Sequence, residues 1–182
     1  IPENLTATYG DDLSSVELPD GFTWVSTGKV GNVGTNTFDA IYSNGDANYN
    51  TVEVKVSVEV AKADPEYTIP AGLTATYGDE LSSVELPSGF AWEATGTVGN
   101  AGTNTFTVSY TPDDTDNYNV VTGIEVTVAV AKAAPSYEIP TCLTATYGDD
   151  LSSVELPEGF TWVSTGKVGN VGTNTFDAIY SN

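Results

Sequence analysis

The strings IPENLTATYGDDLSSVELP (Ile1–Pro19), IPAGLTATYGDELSSVELP (Ile69–Pro87) and IPTCLTATYGDDLSSVELP (Ile139–Pro157) are one motif written three times. A period of roughly 70 residues marks a tandem array and sets the folding unit to the size of a small single-core domain. Two units run full, over 1–63 and 64–133, and a third, 134–182, is cut short. Within it, Ile139–Asn182 copies Ile1–Asn44 except that Glu3, Asn4 and Asp20 become Thr141, Cys142 and Glu158. It lacks the counterpart of Asn50–Ala61. The expectation is an unpaired edge that a strand from another chain completes, by swapping or head-to-tail assembly, or that a longer array supplies. A chain opening on Ile1 without a Met reads as a segment of a longer repetitive protein.

The secondary structure follows from period two. From Val52 to Val60 every second residue is valine, with Glu53, Lys55, Ser57 and Glu59 between them, the pattern of a half-buried strand. Ile124, Val126, Val128 and Val130 repeat it. Such a strand is about 30 Å long and crosses a small domain. Shorter alternations occur at Leu5–Ala7, Phe22–Trp24, Phe38–Tyr42 and Phe106–Tyr110. They are separated by turn-forming groups such as Pro19-Asp20-Gly21, Gly31-Asn32 and Asn44-Gly45-Asp46. Only Asp11–Val16 hints at a helical turn, with aspartates placed to cap it. About six short strands per unit describe an all-β chain of tandem immunoglobulin-like β-sandwich repeats. The junctions Ala61-Lys62-Ala63-Asp64-Pro65 and Ala131-Lys132-Ala133-Ala134-Pro135 are short and proline-stiffened, so the array is expected to be an elongated rod, about 35–40 Å per domain.

Charge and composition remove several functions. There are 25 acidic residues against 5 basic ones, a net charge of −20. That balance repels phosphate backbones and anionic lipid, so neither nucleic acid nor a membrane is an expected partner. No apolar stretch is long enough to span a bilayer. With no histidine and one cysteine, Cys142, nucleophilic and general-base catalysis and zinc binding lose their usual residues, so no catalytic residue is assigned and no enzyme is expected. Cys142 can pair only between molecules, or it is a drifted position matching Asn4 and Gly72. The carboxylate pairs Asp11-Asp12, Asp79-Glu80 and Asp149-Asp150 recur in every unit and read as structural, since adjacent residues on a turn do not face one glycosidic bond.

The remaining candidate is the loop Thr111–Asn119, where Asp113, Asp114 and Asp116 are candidate oxygen ligands for calcium. The counterpart Ser43–Asn50 keeps only Asp46, and self-capping turn residues explain the same composition. No cofactor is expected beyond that calcium. The residues Lys29, Lys55, Lys62 and Lys132 do not form a set buried in every unit, which argues against Lys–Asn isopeptide crosslinks. Trp24, Trp92 and Trp162 read either as core residues or, with Tyr9, Tyr77 and Tyr147, as a sugar-stacking platform. The sequon Asn4-Leu5-Thr6 occurs once.

These motifs together, Leu-Thr-Ala-Thr-Tyr-Gly-Asp, Val-Glu-Leu-Pro with Gly-Phe-Xaa-Trp, Val-Gly-Asn-Xaa-Gly-Thr-Asn-Thr-Phe, and Asn-Tyr-Asn before a valine strand ending in Ala-Lys-Ala, resemble the tandem immunoglobulin-like repeats of bacterial cell-surface proteins of Gram-positive type. The likeness covers the whole chain. It implies an extracellular, wall-associated stalk, spacer or fibre of an adhesin, with neighbouring repeats and other copies of itself as partners. The alternatives are a module that binds glycan, protein or calcium through its loops, and a filament subunit joined by strand complementation. The resemblance carries no catalytic residues.

Overall fold

The computed structural model describes residues 1–181, and they divide into two compact units, Ile1–Lys132 and Ala133–Asn182. Among the described residues strand is the only extended regular structure, in ten segments. The first repeat holds β1 (Leu5–Thr8), β2 (Phe22–Trp24), β3 (Gly34–Tyr42) and β4 (Val52–Ala61). The second holds β5 (Leu73–Thr76), β6 (Phe90–Trp92), β7 (Gly102–Tyr110) and β8 (Val121–Ala131). The third part has β9 (Phe160–Trp162) and β10 (Ala178–Tyr180).

Each complete repeat forms one mixed four-stranded sheet, in the order β1-β4-β3-β2 and then β5-β8-β7-β6. The valine strand lies inside the sheet. In the first repeat it pairs antiparallel with β3, from Gly34 opposite Val60 to Tyr42 opposite Val52, and parallel with β1, Leu5 opposite Val58. Alternation then decides the faces. Val56, Val58 and Val60 are fully buried, while Glu53, Lys55, Ser57 and Glu59 reach solvent beside Thr35, Thr37, Asp39 and Ile41 of β3. Each valine so buried contributes about 1.5–3 kcal/mol relative to exposure.

The second layer is not a sheet. A 3-10 turn at Leu13–Ser15, Val16, and the segment reaching Val30 close over the buried face, held by the Asp12–Lys29 bridge and by hydrogen bonds from Leu13 N to Gly28 O and from Val30 N to Asp11 O. The expected six strands per unit are thereby corrected to four. Val-Glu-Leu-Pro and the glycine-rich Thr27–Gly31 cover the core as irregular chain, because Pro19 and the turns prevent a ladder. The capping expectation is also corrected. Asp12 stands at the head of the 3-10 turn without a side-chain cap, whereas Asp11 accepts from Thr8 N at 2.8 Å and so caps the preceding turn.

Trp24 seals the core. Its Nε1 donates to Val16 O at 2.9 Å and its ring meets Phe38 edge-on at 6.0 Å, and Trp92 with Phe106 and Trp162 with Phe176 do the same. The tryptophans are therefore core residues. Each complete repeat has its own core: Leu13, Val16, Val30, Val58 and Val60 in one; Leu81, Val84, Val98, Val128 and Val130, with Val108, Ile124 and Val126, in the other. Gly21 shows how tightly the edge is built. Its φ is +81°, and an added Cβ would lie 2.8 Å from both Ser43 O and the Tyr42 ring.

One difference separates the two sheets. The strand β8 has eleven residues against ten in β4, and between Val108 and Tyr110 its partner residues jump from Ile124 to Val121. The extra residue is a bulge at Gly123, φ +70°, whose amide donates to Glu93 Oε1 at 3.0 Å.

In Ala133–Asn182 the pattern starts and stops. The 3-10 turn at Leu151–Ser153, buried Leu151 and Val168, and the Tyr137–Phe160–Tyr180 aromatic stack are all present. Residues 143–146, a strand in the other repeats, form none here, and β10 spans three residues where β3 spans nine. Leu143 is exposed, and Ala178 is exposed where Ala40 is buried.

Leu13→Ala removes a side chain that is 1 % exposed. It is expected to destabilise the first repeat by about 2–5 kcal/mol, and urea denaturation followed by tryptophan fluorescence measures the loss.

Candidate functional site

The most built feature outside the cores is the loop from Pro112 to Asn119 in the second repeat, which closes on the end of the first. Asp114 organises it from within. Its Oδ1 accepts from Asn117 N at 3.2 Å, its Oδ2 accepts from Asn117 Nδ2 at 2.9 Å, and its carbonyl accepts from Tyr118 N at 3.1 Å. The carboxylate thus holds the Asn117 carboxamide by its nitrogen and orients Asn117 Oδ1, an acceptor, away from it. That oxygen takes Val33 N of the first repeat at 3.0 Å.

Backbone pairing extends the contact. Ala63 N donates to Asn117 O at 3.0 Å, Asn119 N donates to Ala63 O at 2.9 Å, and Ala63 makes a parallel bridge with Tyr118. Asn119 Nδ2 donates to Asp64 Oδ1 at 2.8 Å, and Lys62 Nζ donates to Thr115 O. The Tyr118 ring stands edge-on to Tyr9 at 5.3 Å, the geometry that ring quadrupoles favour. Asn117 is the only buried polar side chain among the described residues, 8 % exposed, and no buried side-chain nitrogen or oxygen is left without a partner. A satisfied buried side chain favours one arrangement, because a shift leaves its own donor or acceptor unpaired.

The same tyrosine in each repeat reports the closure. Tyr9, under the loop, is half-buried, whereas its counterparts Tyr77 and Tyr147 are 55 % and 70 % exposed.

The residues singled out from the sequence fall as follows. Asp113 and Asp116 are exposed and Asp114 is half-buried, turned to Asn117. Among the described residues no three His, Cys, Asp or Glu side chains are gathered to hold a metal ion. Of the recurrent carboxylate pairs, Asp11, Asp79 and Asp149 each accept a backbone amide three residues back, at 2.8 Å in each case. Asp12 and Asp150 form exposed ion pairs with Lys29 and Lys167 at 3.2 and 3.0 Å. Lys55 pairs with Asp39 at 2.7 Å on the open face of the sheet. Cys142 is exposed, and its φ of +61° matches the +60° of Asn4 at the equivalent position.

What reading the sequence missed is the role of Asn117, Tyr118 and Lys62. The signal present was recurrence: Asn-Tyr-Asn stands before the valine strand in both complete repeats, and Ala-Lys-Ala after it. No family model matches the chain, and no curated protein matches it. Asn117→Ala removes a buried carboxamide that bonds both Asp114 and Val33 N and is expected to cost about 1–3 kcal/mol in urea denaturation. Asn48→Ala, at the exposed equivalent, is expected to cost under about 0.5 kcal/mol.

Proposed function

We propose that the chain is a non-enzymatic structural segment in which tandem immunoglobulin-like repeats form an elongated stalk, spacer or fibre of a bacterial surface protein, outside the cell. The observation that carries this is the Asn117 contact: the loop of one repeat is bonded to the end of the one before it. A spacer must transmit position along its length, and a flexible linker of a few residues does not. A buried amide bond, a backbone bridge and an aromatic pair at the junction resist bending. The high acidic charge keeps such a segment soluble and discourages indiscriminate association. The resemblance to repeats of Gram-positive cell-surface proteins supports the compartment, the wall association and the adhesin context.

The rival in which loops bind glycan, protein or calcium draws less support. The tryptophans are core residues, and Asp114 and Asn117 are engaged with each other and with Val33.

Strand complementation, the third reading, concerns the place where a counterpart of β4 from any source fits. Within Ala133–Asn182 an open groove of 680 Å³ is lined by Leu143, Ala145, Leu151, Trp162, Val168 and Phe176. Equivalent side chains enclose β4 and β8 in the complete repeats. A synthetic peptide spanning Thr51–Ala63 is expected to bind there and bring protection from hydrogen exchange to residues 143–146. Absence of saturable binding removes this reading.

For the leading proposal, spin labels at Ser57→Cys and Thr127→Cys in a Cys142→Ser background are expected to give a narrow distance distribution by pulsed electron resonance. Asn117→Ala combined with Tyr118→Ala broadens it. A broad distribution in the parent protein contradicts a rigid spacer.

A further inference from the structure

Each complete repeat begins and ends on neighbouring strands. In the first, β1 opens the repeat and β4 closes it, and the two pair in parallel: Leu5 with Val58, Thr6 with Glu59, Ala7 with Val60 and Thr8 with Ala61. In the second, β5 and β8 pair in the same sense, from Leu73 opposite Val128 to Thr76 opposite Ala131. One more bond continues each ladder. Tyr9 N donates to Ala61 O at 2.9 Å, and Tyr77 N donates to Ala131 O at 2.8 Å.

This pairing decides how a repeat meets tension. A pull along an array enters a repeat through the chain ahead of its first strand and leaves through the chain after its last. It draws β1 back toward Leu5 and β4 on toward Ala61, so the two strands are dragged past each other along their own length. The bonds between them lie across that direction, and every paired position carries the load at once. Terminal strands paired antiparallel have both ends on one side and part bond by bond instead. The closing strand is held on its other flank as well, β4 by β3 and β8 by β7, over buried Val58, Val60 and Val128. The opening strand is anchored from below, since Leu5 and Ala7 pack on the first core and Leu73 and Ala75 on the second. Sliding β1 or β5 therefore also pulls apolar side chains out of a core.

Resting on the reading of the chain as a spacer, we propose that each complete repeat has the further function of a tension-bearing link, and that the parallel ladders β1–β4 and β5–β8 are the elements that resist the pull. The resistance lies inside each repeat, because force reaches a ladder through the covalent chain whether or not the junction bends.

Forced unfolding is governed by the barrier to opening, so the direction of pull changes the force while the protein stays the same. Single molecules of the whole chain, in a Cys142→Ser background, are stretched at constant speed between handles on two exposed cysteines. Glu3→Cys with Lys132→Cys loads both ladders lengthwise. Thr74→Cys with Thr103→Cys, which flank Ala129 from either side of β8, loads the second ladder crosswise. Equal urea midpoints in the two variants certify that both are folded alike. Expected with the lengthwise handles are two abrupt releases of about 180 Å each, the slack of one repeat. Their forces are expected to be at least about twofold above the crosswise rupture. Equal forces in the two directions overturn the proposal, and so does lengthwise opening strand by strand in small steps. A narrow spin-label distribution with equal forces fails the tension-bearing ladder alone, and a broad one with strong lengthwise resistance fails the rigid spacer alone.

Discussion

One carboxamide decides whether two repeats behave as one body. The Asn117 side chain is held at its nitrogen by Asp114 and at its oxygen by Val33 N, which belongs to the other repeat. In water those bonds are worth little, because solvent supplies equal partners. Asn117 itself is 8 % exposed, so losing either bond leaves a group of this buried side chain unpaired, and that penalty exceeds the gain of forming the bond. The interaction therefore acts as a constraint on geometry more than as a source of stability. Tyr118 against Tyr9 and the Ala63 backbone bridge supply the apolar contact and pairing that keep water out.

That contact depends on rigid platforms at both sides. In the first repeat, Val56, Val58 and Val60 pin β4 in the sheet, and β4 runs directly into Ala61-Lys62-Ala63, so the receiving backbone is an extension of the most buried strand. In the second repeat the clamp loop links β7 to β8, the two strands with the longest register in the sheet. The Gly123 bulge follows shortly after the loop and is braced by Glu93, an irregularity in register that the first repeat lacks.

Much of this was legible from residues alone. Valine alternation located β4 and β8 and their buried faces, Trp24 with Phe22 marked core positions, and Leu13 with Val16 marked the 3-10 turn. The number of strands was not legible, because the apolar residues Val16, Leu18 and Val30 look the same whether their chain joins a ladder or only covers one. The bulge showed only as the interruption Thr122-Gly123 in an otherwise even alternation. The clamp was illegible for a clearer reason. A run of aspartate and asparagine reads equally as a self-capping turn, a calcium loop or a docking surface, and the partner that distinguishes them, Val33, lies 84 residues away. Lys62 likewise reads as solvated until Thr115 O is placed beside it.

The central claim, that loop and linker lock the first two repeats together, is tested most directly by native-state hydrogen exchange at the amides of Val33, Ala63 and Asn119. All three donate across the junction. The account predicts that they exchange together and with protection close to that of Val126 and Val128 in β8. Exchange at the rate of unprotected loop amides, while β8 stays protected, contradicts it.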